Sequence, residues 1–414
     1  MTRSAPARLL VETREIDPVE DLLAYTDPSH PLVWQRRGDG MAGIGAPVTL
    51  VGGGHDETLG ERWRAIAERA EIDDPLRIPG TGLVGFGALT FDRESSHAST
   101  IVVPGVVVGR RHGRSWITTA RTADAPAPGP RAIGYGPHWS ATLGPGSLSA
   151  DGYMSAVRDG LAAIAASEVS KVVLARDLAG TVPAGADLRR LVRSLASGYP
   201  DTWAFAVDGL IGASPETLVT VEEGTVTARV LAGTAARGAD PDADTAASLA
   251  LATSTKDQDE HQFAVRSVLE ALGAHTSALR ASEQPFTLKL PNVWHLATDV
   301  EGRLSGAASA LDLVAALHPT AAVAGTPTPR AIEVIRRLEP FDRGRYAGPV
   351  GWIDAAGSGE WAIALRCAQF DPGEAGEPIP LTAYAGAGIV AGSDPESELL
   401  ETRVKFRPIV DALA

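Results

Sequence analysis

Three charged residues near the end of the chain have the spacing of one helical face. Glu398, Glu401 and Lys405 are three and four residues apart, which places their side chains together on a helix. Asp394-Pro395 predicts the start of that helix, with a capping side chain followed by proline. A solvated charge stripe is the ordinary interpretation. The preceding AGAGIV favours a ligand instead, because its glycines let backbone approach a bound molecule and the helix N-terminus suits an anion.

A second acidic group lies in KDQDEHQFAV, which begins at Lys256. Asp257, Asp259 and Glu260 fall in the first turn of a predicted helix, where acids complement the helix dipole. Glu260 is also a candidate ligand for a hard metal. Mg²⁺ is usually held by one or two carboxylates together with waters and substrate oxygens. Carboxylates on two helices therefore predict a magnesium site.

The chain has only four lysines, and its other basic side chains are arginines. Arginine cannot lose its proton in a protein, whereas a buried lysine can act as a base. Lys171 begins the apolar strand KVVLARDL, where a charge in water at the strand end is the alternative interpretation. Lys256 opens a helix, and Lys289 ends a strand without an assigned role.

Single residues exclude several other motifs. GASPET (212–217) has Glu216 where a nucleophile elbow needs glycine, and AGAGIVAG lacks the glycine spacing of a dinucleotide-binding loop. The nine histidines show no HExxH-type spacing. His295 and His318 lie in apolar or proline-containing segments, which is typical of core histidines. What remains is a candidate site of carboxylates, lysines and glycine-rich backbone for Mg²⁺ and an anion.

Composition excludes several classes of protein. The net charge of -14 argues against a nucleic-acid binder, which needs an excess of cations. A 44% hydrophobic content with 21% charged residues indicates a folded core. The single Cys367 excludes a disulfide framework and a cysteine zinc site. No signal peptide and no membrane span is visible, so we expect a cytoplasmic protein.

Hairpins mixed with helices predict the elements that position these residues. Residues 1–150 read as strands and turns with one helix at 57–72, and the Pro- and Gly-rich stretch 125–139 reads as a linker or surface loop. Beyond Asp151, helices alternate with hairpins, including one that turns at Glu223-Gly224 and one covering 348–370. This pattern predicts an α+β fold with mainly antiparallel sheets.

Taken together, the segments resemble the chorismate-utilising enzymes, and most closely the isochorismate synthases of menaquinone and siderophore pathways. The matches run in family order over about 170–406: SKVVLARDL, GASPETLV, LAGTAARG, KDQDEHQFAV, VWHLATDVEG, LHPTAAVAGTP, LEPFDRGRYAGPVGW, EWAIALRCAQF and AGAGIVAGSDPESELLET. The resemblance implies a duplicated α+β unit with two large packed antiparallel sheets and helices outside. Residues 1–414 would form one unit, with a variable part at 1–150 and a chorismate-binding catalytic region at 151–414.

The resemblance also implies roles for individual residues. In isochorismate synthases water adds at C2 of chorismate as the C4 hydroxyl leaves. Lys171 would be the general base that activates water, Glu216 the general acid, and His295 would line the ring near the leaving hydroxyl. Such roles require a lowered lysine pKa and a raised glutamate pKa. The remaining implied contacts are Glu260, Glu398 and Glu401 for Mg²⁺, and Gly233, Thr234, Tyr346, Arg366, Gly386, Gly388 and Lys405 for substrate.

Within the family, Lys171 argues against the anthranilate and aminodeoxychorismate synthases, which deliver ammonia and lack the base lysine. Salicylate synthases keep the lysine and go on to eliminate pyruvate, and they are the alternative. Ala322 stands where members other than isochorismate synthases tend to have threonine, so it favours release of isochorismate. Ala321 and Leu399-Leu400 depart from the family pattern. We expect a monomer without a glutaminase subunit.

Overall fold

A computed structural model describes residues 8–53, 58–123, 125, 129–289, 293–371 and 376–414. The side chains of Thr234, Ala236, Lys256, Glu260 and Val293 lie outside this description. The helices of the described ranges are α1 Thr58–Arg69, α2 Ala150–Ala165, α3 Arg189–Gly198, α4 Pro241–Thr253, α5 Thr255–Gly273, α6 Ala310–Leu317, α7 Thr328–Leu338 and α8 Pro395–Leu413, with a short 3-10 helix at Leu22–Tyr25. No helix within these ranges has the length and apolar character needed to cross a membrane.

Ten strands of the described ranges precede α2: β1 Leu9–Ile16, β2 Leu32–Arg36, β3 Asp39–Ile44, β4 Val48–Gly53, β5 Glu71–Asp73, β6 Val84–Ala88, β7 Ala98–Val103, β8 Val106–Arg111, β9 Arg114–Thr122 and β10 Leu143–Pro145. The strands that follow are β11 Lys171–Val182, β12 Trp203–Val207, β13 Leu210–Ser214, β14 Thr217–Glu222, β15 Thr225–Ala236, β16 Thr276–Ala281, β17 Phe286–Lys289, β18 Val293–Leu304, β19 Gly325–Thr326, β20 Pro349–Asp354, β21 Gly359–Ile363, β22 Cys367–Phe370 and β23 Ile379–Ile389.

The strands form two large sheets. The larger sheet has 13 strands in the order β10-β11-β23-β22-β13-β12-β2-β3-β8-β9-β1-β5, with β19 beside β11. The smaller sheet has ten strands in the order β16-β18-β15-β14-β21-β20-β6-β7-β4, with β17 beside β18. Among the strands that the structure describes, pairing is antiparallel except between β1 and β5. The prediction of an α+β fold with two large, mainly antiparallel sheets is confirmed.

Buried tryptophans fill the space between the two sheets and within the smaller sheet. Trp34 of the larger sheet and Trp352 of the smaller sheet both donate their indole N–H to Glu360, at 2.9 and 3.1 Å. Trp361 is fully buried and occupies the space above Gly87, where an added Cβ would lie 2.3 Å from the indole ring. Interiors pack at crystal-like density, so a ring of this size needs a glycine opposite it.

The chain passes from one sheet to the other at two adjacent points. β13 lies in the larger sheet and β14 in the smaller, so the chain crosses between Ser214 and Thr217; β21 and β22 make the reverse crossing between Ile363 and Cys367. The amide of Ile363 donates to the Glu216 carbonyl at 3.0 Å. This bond holds the two crossings side by side.

The second crossing corrects one prediction. We predicted a hairpin over 348–370, but only β20 and β21 form it, and the chain then leaves that sheet. Arg366 has φ of 48°, a left-handed conformation that turns the chain out of the strand direction. The amide of Ala213 donates to the Arg366 carbonyl at 3.1 Å, which holds this turn against the first crossing.

The N-terminal part belongs to the same sheets. β1, β2, β3, β8 and β9 lie in the larger sheet, and β4, β6 and β7 in the smaller. The helix predicted at 57–72 ends at Arg69, because β5 pairs there with β1. In the stretch predicted as a linker or surface loop, Tyr135 and Trp139 pack against a core cluster. The division at residue 150 stays a prediction.

Candidate active site

The two crossings place Glu216 and Arg366 next to each other. Each residue lies between a strand of one sheet and a strand of the other. Burial raises the pKa of the Glu216 carboxyl, and the positive charges of Lys171, Lys405 and Arg366 act in the opposite direction. A carboxyl that keeps its proton to higher pH than usual is suited to donating it.

The strand pair β11 and β23 forms a glycine ledge, by which we mean Gly386 and Gly388. Val173 lies opposite Gly388 and Ala175 opposite Gly386. The amides of Val173 and Ala175 donate away from β23, to the Ala324 carbonyl and the Glu339 carboxylate. Because antiparallel partners alternate between hydrogen-bonded and non-hydrogen-bonded pairs, both glycines belong to non-hydrogen-bonded pairs. Their N–H groups therefore point away from β11.

The ledge opens where its other neighbouring strand begins. β22 starts at Cys367, which lies opposite Tyr384, so the pairing of β22 with β23 stops before Gly386. Arg366 directly precedes β22. The two glycine amides thus face the place where the chain turns at Arg366. Peptide N–H groups beside a guanidinium are suited to a carboxylate.

Lys171 begins β11 and lies across the ledge. A Cβ added to Gly388 would lie 3.0 Å from the Lys171 Cε atom. The lysine charge acts on both Glu216 and His295. The structure thus brings Lys171, Glu216 and His295 together at the ledge.

Helix α8 places its charged face against the same ledge. Asp394 caps the helix by accepting from the Ser397 amide, and Pro395 follows, as predicted. The Lys405 ammonium donates to the Gly386 carbonyl at 2.8 Å and pairs with Glu401 at 2.5 Å. Burial and the neighbouring Glu401 raise the pKa of the Glu398 carboxyl, while a Ser393 hydrogen bond lowers it. The ordinary interpretation, a solvated stripe, is therefore wrong for Lys405 and Glu398.

A bulge in β15 supplies the far wall. Gly233 has φ of 83°, a conformation that favours glycine, and the register shifts between Leu231 and Thr234. His295 on β18 lies opposite Thr234 and hydrogen-bonds to the Gly233 backbone. Burial lowers the pKa of His295. The imidazole is thus kept neutral beside the bulge.

Tyr346 closes the site beneath the ledge. It is 5% exposed and stacks on Tyr384 with ring centroids 5.2 Å apart. A Cβ added to Gly386 would lie 3.2 Å from the Tyr346 hydroxyl. Burial raises the Tyr346 pKa. The phenol therefore stays protonated and is available as a hydrogen-bond donor.

The remaining predicted residues have these positions. Ala322 is exposed in the turn before β19, whose Thr326 pairs with Lys171. The side chains of Glu260 and Thr234 lie outside the described residues. His318 is a core histidine, as predicted: it is 6% exposed and its Nε2 donates to the Phe91 carbonyl at 3.0 Å. Lys289 pairs with Asp244 at 3.6 Å.

A comparison of the sequence with protein-family models identifies the family of this chain. Residues 139–414 match the model of the chorismate binding enzymes. The chain belongs to the chorismate binding enzyme family. This match confirms the resemblance of the chain to the chorismate-utilising enzymes.

Several members of this family are similar to the chain over most of its length. Isochorismate synthase DhbC of Bacillus subtilis is 42% identical over 63% of this chain and 67% of its own. The salicylate biosynthesis isochorismate synthase of Pseudomonas aeruginosa is 32% identical over 98% and 90%, respectively. The solved structure of MenF, the menaquinone-specific isochorismate synthase from Escherichia coli, is 24% identical. It has a TM-score of 0.76 and covers 99% of this chain and 96% of that one, which supports the fold.

The carboxylates of α8 fit a hard cation in their chemistry. Glu398 and Glu401 are close enough for Glu401 to raise the Glu398 pKa, a repulsion that a divalent cation relieves. Among the side chains that the structure describes, no three His, Cys, Asp or Glu residues are grouped to hold a metal ion. The third predicted ligand, Glu260, lies outside that description.

Two buried groups beside the site were not assigned from the sequence of this chorismate-binding enzyme. His261 lies next to Glu260, and its ring nitrogens bond the Ala232 carbonyl at 3.0 Å and the Thr298 hydroxyl at 2.7 Å. Glu339 and Arg343 form an ion pair at 2.6 Å under β11. All three fall inside segments that match the family, and that membership was the only available signal.

The ledge gives a first testable prediction. In Gly386→Ala the new Cβ would lie 2.8 Å from the Leu174 carbonyl oxygen, so β23 must shift. We expect a loss of about 1–3 kcal/mol in unfolding free energy and a rise in KM for chorismate. Gly392→Ala is the control, because a Cβ there meets nothing within 4 Å. Equal KM values in both variants and in wild type would contradict a role for the ledge.

Proposed function

We propose that this chain is an isochorismate synthase that adds water at C2 of chorismate as the C4 hydroxyl leaves, by the residues described above. The observation that carries the proposal is one carboxyl, Glu216, with a raised pKa and three cations acting on it. The fixed positive charges suit a substrate that carries two carboxylates. The protonated carboxyl suits a reaction in which a hydroxyl group must be protonated so that it leaves as water.

Glu216 would be the general acid. It donates its proton to the C4 hydroxyl, the C4–O bond breaks, and water leaves. Glu216 is half-buried between the two sheets, and this partial removal from water raises the pKa of its carboxyl. His295, held neutral by burial, lines the ring beside it.

Lys171 would be the general base. It takes a proton from a water molecule as the oxygen of that water bonds to C2, so one water enters for each water that leaves. Before the next turnover the ammonium that forms passes its proton to solvent, and the Glu216 carboxylate takes a proton back from solvent. A lysine serves here because arginine cannot accept or release a proton at neutral pH. Since water rather than ammonia is activated, no glutaminase subunit is needed.

The ledge would hold the substrate in place. The enolpyruvyl carboxylate would be bound by the amides of Gly386 and Gly388 and by the side chains of Arg366 and Tyr346. The pocket would be completed by Lys405 and the Gly233-Thr234 turn. Lys405 reaches both the ledge and Glu401. Binding through fixed dipoles and a guanidinium orients the ring without reorganisation of the site.

Glu260, Glu398 and Glu401 would hold Mg²⁺. When bound, the ion supplies positive charge for the ring carboxylate of chorismate. The raised pKa of Glu398 supports this assignment, because a crowded carboxylate pair is stabilised by a cation.

Metal removal gives a second prediction. We expect chelation by EDTA to abolish turnover and excess Mg²⁺ to restore it. Glu401→Gln should raise the Mg²⁺ concentration needed for half-maximal activity by about ten- to a hundredfold, and titration calorimetry should show the same loss of Mg²⁺ affinity. Glu396→Gln on the same helix is the control, since this exposed acid is not among the three predicted metal ligands. Wild-type Mg²⁺ dependence in Glu401→Gln would contradict the assignment.

Salicylate synthesis is the second candidate. It keeps the same first step and then eliminates pyruvate, so Lys171 and Glu216 do not distinguish the two. Ala322 favours release of isochorismate. Incubating the purified protein with chorismate and Mg²⁺ and separating the products by chromatography distinguishes them. We expect isochorismate; salicylate with pyruvate would overturn the argument from Ala322, and unconsumed chorismate would overturn the function.

A further inference from the structure

The outer edge of β11 is covered by three different elements in succession. β19 pairs with Lys171 and Val172, and the Ala324 carbonyl before it accepts from Val173. β10 pairs farther along, from Leu178. Between these two strands the edge is covered by side chains. Glu339 accepts from the Ala175 amide at 2.7 Å, and Arg343 donates to the Val173 carbonyl at 2.7 Å.

Glu339 and Arg343 form one buried unit. The two side chains are 1% and 2% exposed, and two hydrogen bonds of 2.6 and 2.8 Å join them. Arg343 also donates to the Val323 carbonyl at 3.0 Å, and its guanidinium lies 4.4 Å from the centre of the Phe91 ring. A buried guanidinium is stable when its charge and donors are satisfied, and this pair satisfies them with backbone of β11 and of the turn that carries Ala322.

The same pair determines which way the ledge faces. Because Val173 and Ala175 bond outward to the pair and to Ala324, their partners Gly388 and Gly386 must point their N–H groups away from β11. A one-residue slip of β11 would exchange the two types of pair and turn every side chain to the other face. Lys171 at the start of β11 would then point away from the site.

Arg343 also connects to Tyr346. The Tyr346 amide donates to the Arg343 carbonyl at 3.0 Å, and the guanidinium lies 6.0 Å from the phenol ring. The pair thus contacts the strand of Lys171, the turn of Ala322 and the turn of Tyr346. These are three separate parts of the candidate site.

We propose that Glu339 and Arg343 are positioning residues for the substrate carboxylate: the ion pair replaces the missing stretch of neighbouring strand and fixes the register that directs the ledge amides and Lys171 into the site. The inference rests on the proposed function. It predicts that loosening the pair weakens chorismate binding more than it slows the chemical step, because the ledge binds the carboxylate equally in ground and transition states.

The test compares two buried arginines of matched environment. Arg189 is fully buried and binds Asp187 through two hydrogen bonds of 2.9 and 2.7 Å. It also donates to the backbone carbonyls of Ile133 and Gly134, at 2.9 and 2.8 Å. Arg343→Lys and Arg189→Lys each keep the charge and lose the planar fork. We expect both to lower the melting temperature, but only Arg343→Lys to raise KM for chorismate, by about tenfold or more, with kcat changed less.

Hydrogen exchange separates failure of this inference from failure of the proposed function. Arg343→Lys should speed amide exchange in the segment 383–389 relative to Arg189→Lys, whether or not chorismate is the substrate. If Arg343→Lys does not fold, the second test variant is Glu339→Asp, and its control is Asp187→Glu. The shortened carboxylate of Glu339→Asp cannot reach both Arg343 and the Ala175 amide. An unchanged KM, or an equal rise of KM in the control, would overturn the proposal.

Discussion

Replacing Lys171 by alanine is expected to lower kcat by about 10³-fold while the Kd for chorismate changes little. Without the amine the attacking water loses its proposed proton acceptor, whereas the proposed carboxylate contacts remain at the ledge. Steady-state kinetics and calorimetric binding of chorismate measure the two effects separately. The ledge backbone should be unchanged, because the backbone of Lys171 pairs with Thr326 of β19 and not with the ledge glycines.

The Lys171→Arg variant shows whether this position needs a group that accepts a proton or only a positive charge. Arginine keeps the positive charge but cannot release a proton near neutral pH, so this variant should be nearly as inactive as Lys171→Ala. Lys289→Arg is the matched control, since Lys289 is exposed, pairs with Asp244 at 3.6 Å and has no role in the proposed mechanism. Substantial turnover by Lys171→Arg would show that charge alone is needed and would remove proton transfer by Lys171 from the mechanism.

Glu216→Gln is expected to have the second large effect, lowering kcat by about 10²- to 10⁴-fold. The amide keeps the size of the side chain but cannot protonate the departing hydroxyl. In the wild type, kcat/KM should fall at the alkaline side as Glu216 loses its proton, at a pH above that of an ordinary glutamate because burial raises the pKa. The variant should lose that dependence together with its activity. If kcat/KM of the variant still falls at the same alkaline pH, this fall belongs to a group other than Glu216.

The same substitution should not destabilise the fold at high pH. The pKa of Glu216 is higher in the folded protein than in an unfolded chain. Its contribution to stability is therefore fully present below the unfolded-state pKa of about 4.3 and is lost as pH rises through the folded-state pKa. Glutamine does not ionise, so Glu216→Gln should melt at or above the wild-type temperature at pH 8. A lower melting temperature there would indicate a structural role.

Much of the candidate site was predictable because its residues lie in short, uninterrupted motifs. The cap at Asp394 and the spacing of Glu398, Glu401 and Lys405 follow from helix geometry alone. The hairpin at Glu223-Gly224 follows from turn preferences and is present between β14 and β15. For the two-sheet architecture and the residue roles, the family resemblance was needed, since hairpin patterns do not say which sheet a strand joins.

The features that were not predicted from the sequence depend on pairing between strands that are distant in the chain. The run EWAIALRCAQF reads as a single strand, because its apolar and β-branched residues continue through the point where the chain changes sheets. Glu339 and Arg343 look like ordinary surface charges at a spacing of four. Their burial becomes visible only when β11, β19 and β10 are placed, leaving an edge that the pair covers.

The most direct test of the account uses water labelled with ¹⁸O. Chorismate is incubated with the protein and Mg²⁺ in H₂¹⁸O, and the product is separated and analysed by mass spectrometry. If water adds at C2 while the C4 hydroxyl leaves, the isochorismate formed carries one ¹⁸O at C2. Product that carries no label at C2, formed at the same rate, would contradict water addition and with it the roles of Lys171 and Glu216.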